Sequence, residues 1–148
     1  MNLTHALLGE HAVLYTLFDR SESAAGAWDL AACQEWGRLL EAALESHAGL
    51  EDRLLFVALE PGLGTQGGPL AVMRMEHELI GTAIHRLAAA ADAAEARRLL
   101  GEITATARSH FAKEENVLFP MAERFLGAAR LDEIGAEWAA ARIPQRAH

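Results

Sequence analysis

Apolar residues recur along this chain at steps of three and four, the period of a helix face. Leu3, Leu7, Leu14 and Phe18 form one stripe with His11 in phase, and Trp36, Leu40, Leu44, Leu54 and Ala58 form a second that carries His47 and Glu51. A third stripe, Met73, Ile80, Ile84 and Leu87, contains His77. A fourth, Leu99, Ile103, Val117 and Met121, is in phase with His110 and Glu114. No run alternates in the β manner, so the pattern predicts an all-α fold of four long helices. The first starts near Asn2 and ends within 21–26, and Asp29 and Asp92 are expected N-caps of the second and fourth. Residues 61–69, PGLGTQGGP, are expected to end the second helix and form a central loop, with the third helix starting near Leu70. Gly127 is expected to stop the fourth helix. Residues 131–142 predict a short C-terminal fifth helix that packs Leu131, Ile134 and Trp138 on the bundle, and 144–148 are expected to fray. Trp28, Trp36 and Trp138 read as packing residues.

The polar positions within these stripes repeat. Residues 46–56, SHAGLEDRLLF, and 109–119, SHFAKEENVLF, both read S-H-x-x-x-E-[DE]-x-x-L-F. Glu10-His11 lies 36 residues before His47, and Glu76-His77 lies 33 before His110. The chain reads as one helical hairpin written twice. In a helix, residues four apart project from nearly the same side, about 6 Å apart along the axis, so each repeat presents an imidazole and a carboxylate together.

Short connections between successive helices favour an up-down-up-down four-helix bundle. His11 lies 14 residues before Ala25 and His47 lies 18 after Asp29; His77 lies 14 before Ala91 and His110 lies 18 after Asp92. At about 1.5 Å per residue each hairpin brings its two histidines level to within roughly 6 Å. His11, His47, Glu51, His77, His110 and Glu114 therefore point inwards at one depth. His5 faces elsewhere on its helix, His85 stands about 12 Å up the axis from His77, and His148 is terminal. Glu10 and Glu76 turn about 100° away from their neighbouring histidines, towards a supporting or surface position.

Two carboxylates among apolar side chains need compensating cations, and no lysine or arginine falls on the inner stripes. Metal is the natural cation. Four imidazoles and two carboxylates suit iron, manganese or zinc rather than calcium, and six donors on four helices fit two metals better than one. Other metal and cofactor patterns fail on spacing. A zincin needs HExxH, whereas residues 77–81 read HELIG, and no histidine has the glutamate three residues earlier that ferritin-like sites use. The match of Gly62, Gly64 and Gly67 to GxGxxG follows a helix where a dinucleotide fingerprint needs a strand.

With 148 residues, the chain is expected to be one domain, 1–148. The net charge of -8 argues against nucleic acid and an anionic membrane as partners. Cys33 is the one cysteine, no secretion signal or membrane-spanning run is evident, and the expected location is cytoplasmic.

Over roughly 3–126 the sequence resembles hemerythrin-like (HHE cation-binding) proteins, most specifically in HFAKEENVLFP, with Glu10-His11 and Glu76-His77 as supporting marks. That resemblance implies a non-haem, carboxylate-bridged di-iron centre in a four-helix bundle, with two iron ions as cofactor and manganese or zinc as substitutes. Carried over, His11 and His47 bind one iron, His77 and His110 the other, and Glu51 and Glu114 bridge them. Oxygen-carrying hemerythrins have a further histidine where this chain has Gly81, which implies an exchangeable position on both metals and argues against reversible oxygen carriage. The expected function is binding or sensing of a small diatomic ligand, oxygen or nitric oxide, or iron handling. The alternatives are a di-iron oxidoreductase acting on nitric oxide or peroxide or an iron-sulfur cluster repair factor, and a helical interaction module with a structural metal. No second cofactor site or output domain is seen in the sequence, so a sensor would signal through an unidentified protein partner or a homo-oligomer.

Overall fold

The computed structural model describes residues 1–144; residues 145–148, with His148 and most of the tail expected to fray, lie outside the described residues. Among the described residues there are six α-helices: α1 (Leu3–Ala24), α2 (Leu30–Leu50), α3 (Val57–Leu63), α4 (Pro69–Ala88), α5 (Ala93–Lys113) and α6 (Phe119–Arg142). A π-helical segment, Glu51–Phe56, joins α2 to α3, and a second, Glu114–Leu118, joins α5 to α6. The result is four long rods. Side chains start three of them: Asn2 accepts from the Thr4 amide, Asp29 from Ala32 and Asp92 from Glu95. Pro69 opens α4, where its missing N–H costs nothing.

Rod direction follows from two apolar clusters on either side of a polar layer. One cluster holds Leu14, Phe18, Leu40, Leu44, Ile80, Ile84, Leu87, Leu99 and Ile103. The other holds Leu3, Leu7, Leu55, Leu59, Leu70, Met73, Leu118 and Ala122. The first and third rods run from the second cluster to the first, and the second and fourth run back. This is the all-α, up-down-up-down bundle that the pattern predicts. Among the described residues no helix is long and apolar enough to cross a membrane.

Three expectations need correction. The inner face of the second rod beyond Glu51 is Leu55, Phe56 and Leu59, with Leu54 and Ala58 only flanking it. On the fourth rod Val117 is 53% exposed and Met121 is half-buried, while Leu118, Phe119 and Ala122 are buried. The cause is the same in both: a π turn adds one residue and rotates everything after it, so extrapolating the α-helical phase across it lands one position early. The central loop is also shorter than 61–69, because α3 contains Pro61 and runs to Leu63, with Gly64 (φ 78) as its cap. A proline so near a helix end removes one hydrogen bond without ending the helix at once.

The expected fifth helix follows the fourth rod with no loop between them. Gly127, at φ 74 and ψ 166, kinks α6, and the chain beyond it runs on as helix to Arg142. Only glycine readily takes this conformation. Leu131 and Ile134 beyond the kink are buried in the second cluster, with Trp138 packed against it.

Candidate metal centre

The polar layer between the clusters is built by the two hairpins in the same way. His11 comes from the middle of α1, and His47 and Glu51 straddle the junction of α2 with its π segment. His77 comes from α4, and His110 and Glu114 straddle the junction of α5 with the second π segment. The six expected residues meet: His11 Nε2 is 3.1 Å from His47 Nε2, and His77 Nε2 is 2.9 Å from His110 Nε2. Glu51 lies between the pairs, with Oε1 3.1 Å from His47 and Oε2 3.4 Å from His77. Glu114 spans them too, with Oε2 3.4 Å from His11 and Oε1 against His110. One donor atom from each of His11, His47, Glu51 and Glu114 falls within 4.8 Å of the others, as does one from each of Glu51, His77, His110 and Glu114. His5 is exposed, and His85 is exposed beside Glu41.

Burial sets the electrostatics. Glu51 and Glu114 are fully buried, and among the described residues none of their four oxygens has a hydrogen-bond partner. Such orphaned acceptors are rare in folded proteins. Burial pushes Glu114 up, and the neighbouring Glu51 charge pushes it further, well above the usual carboxylate range. Burial lowers His11 to about 3, helped by the charge on His47. Burial also acts against a charged His47, but Glu51 and Glu10 outweigh it and lift that imidazole to about 9. No lysine or arginine is among the buried residues of the described chain. Acceptor-rich donors of this kind, held apart from fixed cations, suit metal ions.

Behind each imidazole stands a carboxylate. Glu10 Oε2 lies 2.6 Å from His47 Nδ1, and Glu76 Oε1 lies 3.7 Å from His110 Nδ1. Asp52 is 3.3 Å from His77 Nδ1, and Glu115 is 3.5 Å from His11 Nδ1. Phe56 stacks on His77 and Phe119 on His11. The repeat therefore has a spatial meaning: its [DE] and F positions support the first histidine of the opposite hairpin. Sequence reasoning missed Asp52 and Glu115, although their place in both repeats was the available signal. It also read Trp138 as packing only, whereas its indole donates to Glu10 Oε1 at 2.8 Å.

The profile described as the Hemerythrin HHE cation binding domain matches residues 2–122 and 81–141. The chain belongs to this hemerythrin family. The iron-sulfur cluster repair protein YtfE of Musicola paradisiaca (strain Ech703) is similar to this chain, with 36% identity over 93 residues, 55% of this chain and 42% of that relative. The chain thus matches less than half of that relative's length. No solved structure matches it.

The hemerythrin-type layer also borders a cavity of about 60 Å³, lined by His47, His77, His110, Ile80, Gly81 and Phe111 among others. That is room for at least one water-sized molecule. A Cβ built at Gly81 would meet nothing within 4 Å, so the glycine leaves space beside the imidazoles.

Proposed function

We propose that this chain is a non-haem di-iron protein of the cytoplasm that binds or senses a small diatomic ligand, oxygen or nitric oxide, or handles iron. His11 and His47 would hold one iron, His77 and His110 the other, and Glu51 and Glu114 would be shared between the two. The observation that carries this reading is the division of each buried carboxylate between the two imidazole pairs. Iron, when bound, supplies redox chemistry and an open coordination position. The chain's own residues fix the donors, keep the carboxylates from water, and leave the Gly81 cavity for a ligand of a few atoms. Manganese or zinc fits the same nitrogen and oxygen donors.

A second reading is repair of iron-sulfur clusters or turnover of nitric oxide or peroxide. It is favoured by the similarity to the repair protein and rests on that likeness alone. The test is metal analysis after anaerobic reconstitution with ferrous iron, with absorption spectra before and after oxygen or nitric oxide. About two irons per chain and a ligand-dependent band support the proposal. One zinc or no metal, with no spectral change, overturns it, and multiple turnovers of nitric oxide or peroxide favour the second reading.

A further inference from the structure

The two halves of the centre are built alike but supported differently. Among the four imidazoles, His47 alone has a hydrogen-bonded Nδ1; those of His11, His77 and His110 have no partner within the described residues. The difference arises one step further out. Glu76 gives both carboxylate oxygens to Lys113 Nζ, at 3.0 and 2.8 Å, and stands 3.7 Å from His110. Glu10 divides its oxygens. Oε1 accepts from Trp138 Nε1 at 2.8 Å and Arg142 Nε at 2.6 Å, while Oε2 faces His47. Both clamping residues lie beyond the Gly127 kink, on a stretch with no counterpart in the first hairpin. The same guanidinium also reaches the Ser46 hydroxyl, next to His47.

A carboxylate fixed on Nδ1 sets an imidazole's tautomer, aims Nε2 and makes it a stronger donor, and loss of such support typically costs 10- to 100-fold in metal affinity. We propose that Arg142 is a positioning residue that acts through Glu10 on His47 and makes the His11/His47 half the tighter of two unequal metal positions. The inference rests on the di-metal reading above. The two positions then fill in order, and the C-terminal stretch sets the gap between them.

The test is titration of the full-length, metal-free chain with cobalt(II) against a chromophoric chelator, which resolves the two dissociation constants without any activity assay. The wild type is expected to bind two ions in separated steps. Arg142→Gln should weaken the tight step by about 10- to 100-fold and bring the two steps together, Glu10→Gln should do the same, and Arg142→Lys, which keeps a cation beside Glu10, should retain most of the gap. Glu76→Gln should leave the tight step in place. If Arg142→Gln and Glu10→Gln melt cooperatively yet keep the wild-type gap, or if the wild type fills both positions with equal affinity, the proposal is overturned while the di-metal centre stands. Uptake of one ion or none by the wild type overturns the di-metal reading itself.

Discussion

Gly81 is a helix residue chosen for what it leaves out. A leucine there has room for its Cβ and gains about 0.5–1 kcal/mol of helix propensity over glycine, so Gly81→Leu should melt at the same temperature as the wild type or higher. It should nevertheless fill the cavity beside the three imidazoles and abolish any oxygen- or nitric-oxide-dependent band. A stable variant that keeps the band would sink the ligand role of that cavity. Tyr15 offers a second check on the surroundings of His11, since it is the one tyrosine of the chain. Burial raises its phenol, and donation to Glu115 at 2.8 Å raises it further. Because the folded value lies above the unfolded one, its contribution to stability is full below pH ~10 and is lost as pH rises through the folded value. Absorbance at 295 nm should therefore stay flat through pH 10 and rise only at higher pH or with alkaline unfolding; an ordinary titration centred at 10 would contradict the hydrogen bond to Glu115. Spacing alone made the six inward residues legible, because a shared helix face is a local property. Asp52 and Glu115 were not, because each acts on a histidine of the other hairpin.

Elements decide how these residues are aimed. Each π segment begins at a buried glutamate, so the extra residue rotates the following stretch while Glu51 and Glu114 stay in register with His47 and His110. The sequence carries a trace of this: 47, 51, 55, 59 and 110, 114, 118, 122 are unbroken steps of four, which drift on an α-helix and need a wider turn to remain on one face. The stripe was read instead at mixed steps of three and four, which placed Leu54 and Val117 inside. Gly127 was legible as a helix stop, but not as a hinge that sends Trp138 and Arg142 back to Glu10. Gly127→Ala should cost on the order of 1–3 kcal/mol because alanine is strained at that conformation. For a chain of this size that is a fall of about 2–12 °C in melting temperature, measurable by circular dichroism. An unchanged midpoint would mean that the kink is not needed.

At the scale of the molecule, the polar layer divides the apolar core in two, and bound metal is expected to supply cohesion there. With free metal about 1,000-fold above its dissociation constant, each bound ion adds about 4 kcal/mol. That is about 8–16 °C in melting temperature per ion for a domain of this size. Thermal melts of loaded and chelator-stripped protein should differ by that order, and equal midpoints would argue against a metal that binds the folded chain alone. The up-down-up-down order was readable because four stripes and short connections leave few other arrangements, whereas the unequal support of the halves depends on contacts between distant residues. The exposed loop at 64–68 is the covalent link between the two hairpins. Under the ligation proposed here each hairpin brings three donors, and each ion needs a carboxylate oxygen from both. Severed at that loop, the halves would become two polypeptides joined by a four-body equilibrium, two peptides and two ions, and the apparent constant for their pairing would climb with the square of free metal concentration.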